Sequence, residues 1–334
     1  MNRQPMISIA ICTYNGGAYL ASQLKSILTQ TRPVDEVILC DDGSSDDTVE
    51  VARRVLEGSG TSYAIHRNVP GLGVAKNFER AIRLCRGDIV FTSDQDDIWK
   101  PNKVAAMMDV FEREPSCVLV FSDADVTAAD GVTVTGKLWD SIRFSPPRRN
   151  AFAAGDYQLL MSGNVVTGAC MALRRNFALA CMPFPGGLLH DDWLALCAAY
   201  QDGLYPVAQQ LICYRQHGGN VVGVHSRGLA AKIQRWLRPV LQGADNRFYL
   251  LARAELVRQR LRADEPALAL WLAFCRARAE LYRQGRLRGA AWVLFRSLQG
   301  DYRRYTALTV GCASRDFLMA LLGTSSRPPE RGSA

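Results

Sequence analysis

No stretch of this 334-residue chain reaches the roughly 18 uninterrupted apolar residues needed to span a bilayer. Its first residues run into an apolar segment too short for a signal peptide, with no small-residue cleavage site, so a cytoplasmic protein is expected. The 10 cysteines contain no CxxC pair and no Cys/His cluster at zinc spacing. Cys12, Cys40 and Cys213 lie inside apolar runs, where a reduced thiol behaves as a small hydrophobe. There is no P-loop, and Gly71-Leu72-Gly73 lacks the third glycine of a dinucleotide fingerprint. No internal repeat or low-complexity tract occurs, and only the tail after about residue 324 reads as disordered. These absences exclude a membrane-spanning protein, a disulfide scaffold, a zinc module and the two commonest nucleotide-binding motifs.

What is present is an uneven charge. The net charge is +8, but residues 221–334 hold 20 Lys and Arg against 8 Asp and Glu, leaving 20 against 24 in the first 220. A slightly acidic body therefore precedes a strongly basic region, which suits an anionic membrane surface or another acidic partner. Arg235-Trp236-Leu237-Arg238 sets arginines beside apolar residues in the manner of a membrane-surface helix. An ordinary helical subdomain is the alternative. Nucleic-acid binding is not expected, because the aromatics sit at core-like helical spacing and no recognised module is present.

Apolar runs at 6–12, 36–40, 62–66 and 88–92 read as strands, separated by helical stretches at 18–30, 48–56 and 74–85. The alternation predicts βαβ units and an α/β fold, a mainly parallel central sheet with helices on both faces. Beyond Pro101 follow a helix to about residue 114, strands at 117–121 and 165–173, a hairpin strand at 132–134, a loop at 145–150 and a helix at 191–200. From residue 227 onward helical periodicity continues without a strand signal.

In an open α/β sheet, ligands bind at the carboxyl ends of the strands. Acids collect there: Asp41 and Asp42 end the second strand, and Asp94, Asp96 and Asp97 the fourth. Neighbouring carboxylates repel one another, and a bound cation would relieve that. Hard oxygen ligands without adjacent Cys or His suit Mg2+ or Mn2+, which pair such carboxylates with substrate phosphates. Solvated turn aspartates are the plainer alternative, preferred for Asp46 and Asp47, which can cap the next helix.

Thr13-Tyr14-Asn15, Asp41-Asp42-Gly43-Ser44-Ser45-Asp46 and Asp94-Gln95-Asp96, in that order at strand ends, resemble family 2 of the inverting glycosyltransferases, which have the GT-A fold. The resemblance covers roughly residues 6–223. It implies that Thr13, Tyr14, Asn15, Asp41 and Asp42 hold the donor nucleotide, Asp41 and Thr13 lining the base and ribose pocket. It implies that Asp94-Gln95-Asp96 is the DxD motif, with Asp96 the main metal ligand, and that Lys76-Asn77 is a basic position near the nucleotide.

Leu189-His190-Asp191-Asp192-Trp193 stands where the family places Glu-Asp at a helix start. Transfer needs one general base to take the acceptor's proton. Asp191 is the first candidate and Asp192 the second; an alignment on His190-Asp191 is also open, and acids that merely stabilise a helix N-terminus are the plainer reading. Tyr214-Arg215-Gln216-His217-Gly218-Gly219-Asn220 is similar to the segment closing the catalytic domain in bacterial rhamnosyltransferase-like members. That implies roles for Arg215 and His217 at the diphosphate or the metal once the loop closes. With residues 94–99, it also implies a deoxysugar donor such as dTDP-rhamnose. The Gln-x-x-Arg-Trp motif of processive polymerases is missing, and Gln234-Arg235-Trp236 has the wrong spacing, which favours single-sugar addition.

The expectation is a GT-A catalytic domain at 1–224, a basic helical region at 225–325 and a disordered tail at 326–334. It would move a sugar, L-rhamnose first, to a lipid-linked oligosaccharide or glycan in cell-surface polysaccharide assembly, peripherally on the inner face of the cytoplasmic membrane. The alternatives are the same fold with a UDP-hexose or UDP-N-acetylhexosamine donor, and a catalytically silent nucleotide-sugar-binding scaffold. The sequence sets no oligomeric state.

Overall fold

The computed structural model describes residues 4–153, 155–156, 160–161, 163–218, 247–261, 266–281, 286–302 and 309–322. Its core begins with β1 (Ile7–Thr13), β2 (Glu36–Asp41) and β4 (Ile89–Ser93), whose residues are buried almost throughout. β3 (Ser62–Arg67) is half-exposed. Strands hydrophobic on both sides need cover on both sides, and the crossover helices α1 (Gly17–Leu28), α2 (Thr48–Glu57) and α3 (Val74–Leu84) supply it. Leu20, Leu24 and Ile27 of α1 bury themselves in one cluster with Ile9, Leu39 and Phe91 of the sheet; each such side chain stabilises by about 1.5–3 kcal/mol.

After β4 come β5 (Ile98–Trp99), α4 (Lys103–Arg113), β6 (Leu119–Thr127), β7 (Val134–Lys137), α5 (Leu138–Ser141) and α6 (Pro146–Ala153). A 3-10 turn (Gly168–Cys170), β8 (Met171–Arg174), α7 (Arg175–Ala180), α8 (His190–Ala199) and β9 (Leu204–Arg215) follow. The sheet order is β3-β2-β1-β4-β8-β6-β9-β5, with β7 paired to β6. The β3-β2-β1-β4 half is parallel, whereas β8 runs antiparallel to both of its neighbours. Register aligns the strand ends: Thr13 pairs with Asp41, and Ile11 with Ser93. The loops after β1, β2 and β4 therefore leave the same edge of the sheet.

Two expectations differ from the structure. Residues 145–150 are not a loop but open α6, because proline is tolerated in a first helical turn, where its missing N–H has no partner to lose. Phe152 then packs edge-on against Phe121 and Phe144. Residues 165–173 are not one strand: the 3-10 turn interrupts them, and only β8 pairs.

The chain divides into two units, Met1–Gly155 with Val165–Val224, and Asp156–Asn164 with His225–Ala334. The second contains the helices α9 (Arg247–Leu261), α10 (Pro266–Ala279), α11 (Arg286–Leu298) and α12 (Thr309–Leu322) and, among the described residues, no strand. Among the described residues no helix is long and apolar enough to cross a membrane. The basic segment 235–238, Gln234, Gly219, Asn220 and the tail at 326–334 lie outside the described residues.

Candidate active site

The β2 end is tied inward. Asp41 is fully buried and accepts from Thr13 Oγ1 at 3.0 Å, Ser44 N at 2.9 Å, Gly43 N at 3.2 Å and Ser44 Oγ. Thr13 is buried as well. The pair expected to touch a nucleobase thus forms the floor of this edge, with its oxygens already bonded. Asp42 fastens the next loop, accepting from Asn68 Nδ2 at 2.7 Å, Leu72 N at 2.7 Å and Gly73 N at 2.8 Å. Asn15 takes a left-handed backbone, φ 48°, which asparagine tolerates. Its N–H donates to Ser44 Oγ at 2.8 Å, and its Oδ1 accepts from Ser45 N at 2.8 Å. Tyr14 remains 60% exposed at the rim.

Gln95 joins the β1 loop to the β4 loop. It accepts from Tyr14 N at 2.8 Å and donates to Tyr14 O at 3.0 Å. Residue 16 must be glycine for this approach, since a Cβ there would stand 2.1 Å from Gln95 Oε1. Lys76 and Asn77 also serve as struts. Asn77 is buried, donating to Cys40 O at 2.9 Å and accepting from Asn68 Nδ2 at 2.8 Å. Lys76 Nζ reaches Glu79 at 2.7 Å and Phe184 O at 2.9 Å.

Two elements, the β4 loop and the start of α8, bring acids together beside this rim. Burial, then the charges of Asp96 and Asp191, push Asp94 up to about 7, with Lys103 acting against them. Asp97, buried next to it, is raised by burial and by Asp96 and Asp94. Asp191, at the start of α8, accepts from Gly168 N at 2.9 Å and Asp192 N at 2.7 Å. Burial, then the charge of Asp192, still push it up to about 7. His190 is no proton carrier near neutrality. It stacks on Phe78 at 3.9 Å, and burial pushes it down to about 3. Gly168 permits the approach of α8, because a Cβ there would meet His190 Nε2 at 2.7 Å.

At the end of β9, His217 Nε2 lies 2.8 Å from Asp96 Oδ2. Arg215, expected at the diphosphate or the metal once the loop closes, is buried here; it donates to Asp96 O at 2.8 Å and Ala129 O at 2.9 Å, bracing the acidic loop from within. Tyr19 was not singled out by sequence, yet its ring stacks on His217 at 4.5 Å and lies 4.9 Å from the Arg215 guanidinium. Lys103 also escaped notice. It is fully buried, donates to Ala169 O at 2.8 Å and stands 3.6 Å from the centre of the Trp99 ring. A lone lysine opening an amphipathic helix gives no signal of this kind; only the fold puts it beneath the acids.

Among the described residues, no three Asp, Glu, His or Cys side chains converge as a ready-made metal cage. Asp96 with His217, and Asp94 within electrostatic reach, form a partial donor set. That suits Mg2+ or Mn2+, which take one or two carboxylates and complete their shell with phosphate oxygens and water.

A curled sheet of this order, with acids at the β4 end and a helix start facing them, is the GT-A fold. The profile of Glycosyl transferase family 2 matches residues 8–179, and the chain belongs to that family. It is 34% identical over 122 residues to a chondroitin synthase of Escherichia coli, covering 36% of this chain and 18% of that one. It is 26% identical over 221 residues to an uncharacterised glycosyltransferase of Nostoc sp., covering 64% of this chain and 66% of that one. To the putative teichuronic acid biosynthesis glycosyltransferase TuaG of Bacillus subtilis it is 29% identical over 131 residues, 39% of this chain and 51% of the relative. The matched stretch thus spans less than two thirds of each of these relatives. In structure it is similar to TarS of S. aureus, in complex with UDP-GlcNAc (TM-score 0.55, 16% identity, 95% of this chain and 81% of that one). It is also similar to the mannosyltransferase PcManGT of Pyrobaculum calidifontis, in complex with GDP-Man and Mn2+ (TM-score 0.52, 19% identity, 97% and 89%).

Proposed function

We propose that this protein is an inverting glycosyltransferase that moves a sugar from a nucleoside diphosphate to an acceptor hydroxyl, in the assembly of a surface polysaccharide. The observation that carries this is that Asp94, on the β4 loop, lies within electrostatic reach of both Asp96, on the same loop, and Asp191, at the start of α8. Asp191 has the proton affinity of a base working near neutral pH. The catalytic domain on this reading is 1–224, followed by the helical region at 225–325.

The donor's nucleoside lies on the rim formed by Tyr14, Asn15 and the loop held by Asp42, with Thr13 and Asp41 as its floor and Gln95 fixing its shape. Lys76 and Asn77 hold α3 beneath it. Asp94, Asp96 and His217 would hold Mg2+ or Mn2+, which supplies positive charge to the diphosphate. Asp191 takes the proton of the acceptor hydroxyl as its oxygen bonds to the anomeric carbon. The bond to the diphosphate breaks on the opposite face, its electron pair leaving with the phosphate oxygen, and the anomeric carbon inverts. Asp192 sits one residue along and raises the affinity of the base.

A dTDP-deoxysugar such as dTDP-rhamnose is the first donor to test, on the resemblance of residues 94–99 and 214–220. UDP-hexoses and UDP-N-acetylhexosamines are the second, supported by the UDP-GlcNAc bound to TarS. The acceptor on this reading is a lipid-linked oligosaccharide or glycan at the cytoplasmic face of the membrane. The test incubates the full chain with a panel of these donors, with and without Mn2+, and reads released nucleoside diphosphate and product mass. Turnover of one donor that needs metal and disappears in Asp96→Asn is expected. Donor binding without turnover, unaffected by that substitution, would replace the reading with a silent nucleotide-sugar-binding scaffold.

A further inference from the structure

The helical unit presents an apolar stripe that its own packing leaves uncovered. α11 buries Gly289, Ala290 and Val293, and packs on α12, where a Cβ on Gly289 would come within 3.2 Å of Ala320. Away from that face stand Leu287, Leu294, Phe295 and Leu298, exposed by 81%, 55%, 56% and 88%. At about 100° per residue they fall, with exposed Ala291, inside one arc roughly 100° wide. Four of the 13 large hydrophobic side chains exposed among the described residues belong to this one helix. Of the other helices, α9 exposes Arg258, Gln259 and Arg260, and α10 exposes a single large hydrophobic side chain, Leu270, beside Ala269, Ala273 and Arg276.

The charged side chains of α11 itself are all basic. Arg286 and Arg288 are exposed at the start of α11, the helix contains no acid, and the one acid just beyond it, Asp301, pairs with Arg296 at 2.8 Å. Residues 221–334 as a whole hold 20 basic against 8 acidic side chains. A second copy of the chain would bring the same positive charge against itself, whereas an anionic lipid surface complements it.

We infer that α11 is a membrane-docking helix: Leu287, Leu294, Phe295 and Leu298 enter the boundary between headgroups and acyl chains of a bilayer containing anionic lipid, and Arg286 and Arg288 bind the headgroup phosphates. The inference stands on the helical unit alone, independent of the transferase reading.

The test uses the full chain and vesicles of phosphatidylcholine with phosphatidylglycerol, or of phosphatidylcholine alone. Co-sedimentation with the anionic vesicles is expected, weakening as salt rises. The quadruple variant Leu287→Ser/Leu294→Ser/Phe295→Ser/Leu298→Ser should bind at least about tenfold more weakly. Arg286→Gln/Arg288→Gln should lose roughly fivefold per arginine. Amide exchange in the unaltered chain provides a readout free of folding effects: exchange over residues 286–298 should slow when anionic vesicles are added. Equal binding by the quadruple variant, or unchanged exchange over 286–298, would overturn the inference. So would a dimer in sedimentation analysis that the quadruple variant dissolves, with no vesicle binding, since the stripe would then join copies of the chain.

Discussion

Both units of this chain bury charge, and they treat it in opposite ways. In the helical unit Asp316 has no exposed surface, and it accepts from Arg278 Nε at 2.6 Å, Arg278 NH2 at 3.2 Å and Tyr302 Oη at 2.7 Å. Burial alone would loosen the proton of Arg278, but Asp316 beside it more than offsets that. At the strand ends burial first, and then the neighbouring acids, raise the proton affinities of Asp94, Asp97 and Asp191, and among the described residues no arginine or lysine side chain is bonded to these three. Asp97 Oδ2 has no hydrogen-bond partner among the described residues, and the buried cation nearby, Lys103, donates to a carbonyl. Geometry that matches charge with charge holds a fold together; geometry that crowds like charges raises their proton affinities and favours a cationic ligand. The first arrangement belongs to architecture and the second to chemistry.

The largest effect that would sharpen this contrast is on rate. On the proposed mechanism Asp191→Asn removes the base and should lower kcat by about 10²–10⁴-fold, and Asp96→Asn should lower metal-dependent turnover on a similar scale. Stability should move the other way. Asp94→Asn removes one of the mutually repelling charges, so it should leave the melting temperature unchanged or raise it by a few degrees, roughly 1 kcal/mol. A melting curve beside a turnover assay checks both signs. A marked loss of stability in Asp94→Asn would break the comparison, because the acids would then be holding the fold.

The matched cluster should respond in reverse. Arg278→Met leaves Asp316 buried without its charge partner and should cost about 3–5 kcal/mol. Replacing Arg278 and Asp316 together by Met and Leu should recover much of that loss. Urea titrations of the single and double variants measure it. If the single substitution costs less than 1 kcal/mol, the cluster is no more than an ordinary surface pair and the contrast between the units fails.

The parallel half of the sheet was legible in the sequence because β1, β2 and β4 are apolar runs, β2 and β4 leading into acids, at βαβ spacing; β1, β2, β3 and β4 each lie within a residue or two of where the pattern put them. β9 was harder. Gln209, exposed, and Gln210, half-buried and donating to Asp123, break its apolar pattern, so only the apolar run around Cys213 stood out. β5, two residues long, carries no periodicity at all. At the site, residue types announced the acids but not their partners. Whether Asp41 faces a ligand or Thr13 and Ser44, and whether Arg215 faces a diphosphate or the carbonyls of Asp96 and Ala129, depends on contacts between distant segments that spacing does not encode.

The pH dependence should show the same crowding. Burial first, and Asp192 second, push Asp191 up to about 7, so with Asp191 as the proposed base the rate should rise with pH through about 7. Asp192→Asn removes the smaller cause, and the limb should move to lower pH while staying above the ordinary carboxylate range. The stability sign is opposite. A carboxyl whose folded affinity exceeds its unfolded one contributes stability that is full below the unfolded value, about 4, and lost as pH rises through about 7. Asp191→Asn should therefore flatten that decline. A limb that stays in place in Asp192→Asn would show that the neighbouring charge is not felt at the base.

The smallest effect concerns the loops rather than the charges. Gln95 lies between the two acids of its motif, yet its side chain is engaged with the backbone of Tyr14 at 2.8 and 3.0 Å, in a partly exposed position. Hydrogen bonds of this kind contribute about 0.5–1.5 kcal/mol each, so Gln95→Ala should lower the melting temperature by a few degrees at most. The functional loss should fall on the donor. With the β1 loop released from the β4 loop, KM for the nucleotide sugar should rise roughly five- to tenfold, the equivalent of one or two such bonds. The kcat should change less, because Asp191 stands on a different element. A fall in kcat with KM unchanged would place Gln95 among the groups that act on the reacting atoms, and would extend the crowded site to all three residues of the motif.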